Sequence, residues 1–139
     1  SAFNLVQKDL NLESWEYDQP EQEISPLSYA TLFRVLYNAS YLNKEMSEKA
    51  LKILSQSEFK NGLAGGIPEN IKIAHKFGER YKDWMWQMHD CGIIYYPERP
   101  YLLCIFTKGP DLRNLLQIIR DISTIVYSEI VIQDAKRKS

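Results

Sequence analysis

The feature that most constrains this chain is a one-sided helical repeat standing directly after three strand-like segments. Behind the break Gly109-Pro110-Asp111, the residues Leu112, Leu115, Leu116, Ile119, Ile122, Val126 and Ile130 recur at helical spacing, which predicts an amphipathic helix of about five turns. A helix that is apolar on one side needs a surface to cover, and the preceding segments supply one. In Ile71–Phe77, the residues Ile71, Ile73, His75 and Phe77 alternate with Lys72, Ala74 and Lys76, the period-two pattern of a strand. Two further strands are predicted near Met88–Tyr96 and Tyr101–Thr107, joined through Pro97-Glu98-Arg99-Pro100. The run Leu102-Leu103-Cys104-Ile105-Phe106 implies a strand covered on both faces.

Upstream, Ser25-Pro26 combines an N-cap with a proline at the first helical position, and Tyr29, Leu32, Phe33, Leu36 and Tyr37 mark one buried face of a helix running to about Ser40. A second helix fits Asn43 or Ser47 as its cap, with Met46, Ala50, Leu51, Ile53 and Leu54 inward. Gly62, Gly65, Gly66 and Pro68 then break the helix hairpin from the strands. The expected fold is therefore α+β: a three-stranded antiparallel sheet packed by helices, with a helix hairpin before it and a long C-terminal helix. The polar stretch from Ser14 to Glu23 reads as a loop, and the opening residues Ala2, Phe3, Leu5 and Val6 read as a helix whose upstream part is missing.

With 17 basic and 18 acidic side chains in 139 residues, the net charge of -1 gives no footprint for nucleic acid. No apolar run approaches the roughly 20 residues of a membrane span. The basic end Ala135–Ser139 reads as a solvated tail. Cys91 and Cys104 fall on neighbouring strands and are expected as free thiols, since two cysteines make neither a disulfide framework nor a zinc signature. His75, His89, Asp90 and Cys91 match no metal-ligand spacing, so no metal or cofactor is expected. Tyr81, Trp84 and Trp86 lie between the first two predicted strands, either as a loop anchor or as a lid.

The segment Ala74-His75-Lys76-Phe77-Gly78-Glu79 resembles the Lys-Thr/Ser-Gly strand of the penicillin-recognising serine hydrolases, the class A β-lactamases and D-Ala-D-Ala carboxypeptidases. The context is similar too. A helix hairpin opening at Ile24–Tyr29 precedes the segment, a strand hairpin containing Cys91–Tyr96 follows, and a helix closes the chain, which is the order of that family's C-terminal half. Ser1–Leu5 is similar to the stretch after the family's Ser-Asp-Asn motif. The resemblance implies that residues 1–139 form the C-terminal part of such a domain, with the nucleophile upstream.

By that resemblance, Lys76 is the cation that attracts a substrate carboxylate, Gly78 lets the acyl group approach the backbone, and the backbone N–H of Glu79 donates to the developing oxyanion. One such donor is worth roughly 3–4 kcal/mol in the transition state. Phe77 stands in the substrate-binding strand where the family has Thr or Ser. Glu16, in Trp15-Glu16, is similar to the family's general base; the other reading of it is a solvated loop acid. Ser57-Glu58-Phe59-Lys60 spells a Ser-x-x-Lys motif, but at a helix end beside a glycine-rich turn, and Tyr41-Leu42-Asn43 spells a Tyr-x-Asn whose Asn43 is better used as a cap.

What the resemblance implies is acyl transfer on β-lactams or D-Ala-D-Ala-like peptides by the intact protein, in a secreted, periplasmic or cell-surface setting, and an inert fragment. Its partner would be the missing N-terminal half or a second copy. The alternative is a non-catalytic binding or scaffolding module with a degenerate site.

Overall fold

A computed structural model describes residues 8–10 and 24–139. Helix α1 (Pro26–Tyr37) starts where the sequence places it: the Ser25 hydroxyl accepts from the Ser28 N–H at 3.1 Å, and Pro26 occupies the first turn, where it sacrifices no hydrogen bond. It ends at Asn38, a turn earlier than expected, because Ala39 adopts a positive φ of 48°. Helix α2 (Lys44–Leu54) is capped by Asn43, whose Oδ1 accepts from the Met46 N–H at 2.9 Å. Only Ser47 and Leu51 of α2 are buried; Met46 and Ile53, expected inward, are exposed, Ile53 at 61%.

Three antiparallel strands, β1 (Ile73–Lys82), β2 (Met85–Ile94) and β3 (Tyr101–Gly109), form one sheet in that order. The first two are longer toward their shared turn than the alternation suggested. Tyr81 ends up inside β1 and Trp86 inside β2, facing each other, with Asp83 and Trp84 as a two-residue turn at φ of 51° and 61°. Positive φ at both central residues is the turn whose twist matches a hairpin. Trp84 is thus neither lid nor anchor but the exposed hairpin tip.

The sheet is covered on both faces. Ala74, Cys91 and Ile93 pack with Phe33 of α1 and Leu51 of α2. On the other face Ile73, Met88, Ile94 and Ile105 meet Leu115 and Ile119 of the C-terminal helix, together with Leu63 and Ile67. Leu63 belongs to a 3-10 turn, Leu63–Gly66, whose carbonyl accepts from the buried Ser123 hydroxyl at 2.9 Å. A Cβ on Gly66 would fall 2.6 Å from the Cβ of Ser123, so glycine is what lets the turn lie against the helix. The apolar run in β3 is less covered than predicted: Ile105 is buried, whereas Leu102 is exposed.

Helix α3 (Leu112–Lys138) runs 27 residues, well beyond the five turns expected. The extra length comes from the basic end, which is helical and not a tail. Lys138 Nζ lies 2.8 Å and Arg137 Nη2 2.9 Å from the carboxylate of Asp134, and both reach Glu98 in the β2–β3 connection. Cations also suit a helix C-terminus. Ile118, Ile122, Ile125 and Ile132 form a second apolar stripe on the outer side of α3; Ile125 is 67% exposed, and Ile122, expected inward, belongs to this stripe. No helix among the described residues is long and apolar enough to cross a membrane.

Candidate functional site

Strand β1 is an edge strand, and the phase of its ladder decides what the edge presents. The Tyr95 N–H donates to the Lys72 carbonyl at 2.9 Å, which makes Lys72/Tyr95 a hydrogen-bonded pair. Antiparallel pairs alternate, so along the unbroken register Lys76/Cys91 and Gly78/His89 are also hydrogen-bonded pairs. The backbone N–H and C=O of Phe77 and Glu79 must then point away from β2, toward the free edge. Lys76 bends to that same edge: its Nζ donates to the Phe77 carbonyl at 2.7 Å and is exposed. The edge therefore carries one ammonium and, three residues on, the outward N–H of Glu79.

Side chains divide by face. Lys76 and Gly78 stand on the α1/α2 side, whereas Phe77 turns to the α3 side and stacks on Phe59 with ring centroids 3.9 Å apart. Phe77 offers the edge its backbone and, with the Lys76 Nζ 5.0 Å from the ring centroid, a face for the ammonium to rest on. Beside Gly78 and Glu79 opens a hollow of about 500 Å³ beyond the start of α1, lined also by Ile24, Met88, His89, Phe106 and Lys108. Lys76 stands two cross-strand pairs from Gly78 and His89, outside the lining of the hollow. Glu16 lies outside the described residues, as do Trp15 and Ser1–Leu5.

His89 pairs directly with Gly78 and forms part of the hollow's floor. Its ring stacks on Phe106 with centroids 4.7 Å apart and meets the Tyr29 ring edge-on at 5.1 Å. Burial pushes the imidazole below its ordinary range, the charge of Asp90 works against that, and Lys76 adds to it. His89 is thereby favoured in the neutral form. Burial, followed by Asp90, pushes the Tyr29 hydroxyl up.

On the opposite face the fully buried His75 Nδ1 lies 2.9 and 3.1 Å from the two carboxylate oxygens of Asp90, and the Leu63 N–H donates to the same carboxylate at 2.9 Å. The group ties β1, β2 and the 3-10 turn together directly beneath the edge residues. The four residues considered as metal ligands are split by the sheet, His75 and Asp90 on one side, His89 and Cys91 on the other. Cys91 and Cys104 are not free thiols: they are direct cross-strand partners with Cα atoms 4.0 Å apart, joined by a disulfide. Because Cys91 spends its backbone groups on β1, its pair with Cys104 is the non-hydrogen-bonded kind, in which side chains come closest. Ser57 and Lys60 lie past the end of α2 in non-helical chain, so no helical turn brings the hydroxyl to the amine.

The architecture has counterparts. The family model described as "Beta-lactamase enzyme family" matches residues 3–130. The chain belongs to that family. This β-lactamase-family chain is similar in structure to PBP-A, at a TM-score of 0.76 and 21% identity over 91% of this chain and 49% of that one. It is also similar to a variant of PBP-A held as an acyl-enzyme complex with penicillin G (TM-score 0.74, 22% identity, 91% of this chain and 50% of that one). A β-lactamase from Francisella tularensis gives 0.76 at 19% identity, over 94% of this chain and 55% of that one. At these identities the likeness is one of fold. The chain spans about half the length of these relatives. No curated protein matches the chain.

Proposed function

We propose that the intact protein works by serine acyl transfer on β-lactams or D-Ala-D-Ala-like peptides, and that residues 1–139 are the C-terminal part of its catalytic domain, inert by themselves. The observation that carries this reading is the free edge of β1, which bears the Lys76 ammonium and, three residues on beside a hollow, the outward N–H of Glu79. A cation can hold the carboxylate that both substrate classes bear, and a fixed backbone donor can stabilise a developing oxyanion without reorganising. Membership of the family agrees with it. The nucleophile then comes from the upstream segment, and Glu16 is a candidate base for deacylation. Such proteins act outside the cytoplasm, and an exported setting suits the disulfide as well.

The test is covalent labelling with a fluorescent penicillin. The full-length protein becomes labelled, Lys76→Ala lowers the labelling rate roughly 100-fold, and the 139-residue chain alone gives no adduct until the upstream segment is supplied. Labelling of the isolated chain would place a nucleophile within it and overturn the proposal. The Ile118, Ile122, Ile125 and Ile132 stripe adds a second readout: the isolated chain self-associates over this surface, and the upstream half keeps it monomeric.

A second reading, a non-catalytic module with a degenerate site, draws on Phe77, whose ring is stacked on Phe59 and can offer no hydroxyl to a carboxylate. A full-length protein that binds penicillin reversibly but forms no adduct would favour it.

A further inference from the structure

Gly78 is small for a reason that lies within the chain. A Cβ at that position would come 2.8 Å from Nε2 and 3.3 Å from Nδ1 of His89, the residue opposite it on β2. The imidazole cannot swing clear, because Phe106 stacks on its ring and Tyr29 closes on it from α1. The glycine thus frees the space into which His89 leans, and the imidazole becomes floor of the hollow where bare backbone would have been.

The chemistry of that floor is specific. Neither ring nitrogen of His89 has a hydrogen-bond partner among the described residues, and the ring is held between two aromatic side chains. A neutral imidazole has one donor and one acceptor nitrogen, the complement of an amide's C=O and N–H. Around it, among the polar residues Arg80, Gln87, Thr107 and Lys108, Phe106 and Ile24 offer surface that suits an apolar group. The geometry points to His89 as a specificity-determining residue: it hydrogen-bonds the amide of an acylamino side arm on the bound substrate, whose apolar end rests against Phe106 and Ile24. This rests on the acyl-transfer reading above, since the substrate core must be anchored at the Lys76–Glu79 edge for its arm to enter the hollow. The favoured neutral form of His89 agrees with a donor–acceptor role.

Two β-lactams separate the arm from the core: benzylpenicillin carries an acylamino arm, and 6-aminopenicillanic acid has the same bicyclic core with no acyl group. Their acylation rate constants are measured on the full-length protein, on His89→Ala, and on His89→Phe, which keeps a ring between Phe106 and Tyr29 but has no nitrogen. The preference for benzylpenicillin falls about tenfold in both variants, while the rate with 6-aminopenicillanic acid stays within about twofold of wild type. An unchanged preference, or a preference restored by His89→Phe, overturns the hydrogen-bonding role. Equal loss for both compounds assigns His89 a purely structural role and overturns it too. If wild type is acylated by neither compound, the acyl-transfer reading fails and this inference falls with it.

Discussion

Cys91 and Cys104 face each other across β2 and β3, joined by a disulfide two residues along β2 from His89, the partner of Gly78. The bond closes a short loop, the two residues being 13 apart in sequence. In the chain-entropy picture a loop of this size contributes about 3 kcal/mol by restricting the unfolded chain. The Cys91→Ala/Cys104→Ala double variant should therefore unfold at a clearly lower denaturant concentration than wild type. Added reductant should bring wild type down to the variant and leave the variant unmoved. Identical midpoints with and without reductant would show that the bond contributes nothing.

Much of this architecture could be read from the sequence where a local rule governs. Ser25-Pro26 and Asn43 announce helix starts because capping is settled within three residues, and the three strands with their covering helix follow from periodicity. The hairpin turn could not be read this way. Asp83-Trp84 lacks the glycine that a turn with two positive φ values normally uses, so the strands were drawn too short and the pairing of Gly78 with His89 stayed hidden. The disulfide was missed for the same reason, since register alone decides that Cys91 meets Cys104. Lys76, Gly78 and Glu79 were visible through a family pattern, but where each points depended on the ladder's phase. The outer isoleucine stripe of α3 was not legible because the inward face already accounts for the helix's apolar periodicity.

The contact between Gly78 and His89 makes the two positions energetically coupled. Gly78→Ala forces its new methyl against a ring that Phe106 and Tyr29 hold in place, and overpacking of this kind costs about 1–3 kcal/mol. In a His89→Ala background the same methyl has room, so Gly78→Ala should cost much less there. A double-mutant cycle on denaturant midpoints measures the difference. Additive effects of the two substitutions would mean that the ring does not occupy the space over Gly78.

Asp90 holds two buried partners at once, the Leu63 N–H and His75 Nδ1. Asp90→Ala strands both away from water, and at about 1–3 kcal/mol for each orphaned group the expected loss is about 2–6 kcal/mol. The loss should be local as well as global: the Leu63 amide, which donates to Asp90, should be protected from exchange in wild type and exchange with solvent much faster in the variant as the 3-10 turn loosens from the sheet. Hydrogen exchange read at Leu63 checks this, and unchanged protection would show that Asp90 does not anchor the turn.

The C-terminal turn of α3 should carry a pH dependence of known sign. Hydrogen bonds from Lys138 and then from Arg137 hold the carboxyl of Asp134 down at about 2, below its ordinary 3.8. A group whose pKa is lower in the folded state binds protons more readily when unfolded, so its contribution is fully present above pH 3.8 and is lost as pH falls toward 2. Asp134→Asn removes the charge that Lys138 and Arg137 share and should lower the melting temperature near neutral pH. The gap between wild type and variant should narrow below pH 3.8 and close near pH 2, as protonation makes wild type resemble the amide. Melting curves at intervals from pH 2 to pH 7 test this, and a gap of constant size down to pH 2 would show that the carboxylate's charge is not what ties the end of α3 to the β2–β3 connection.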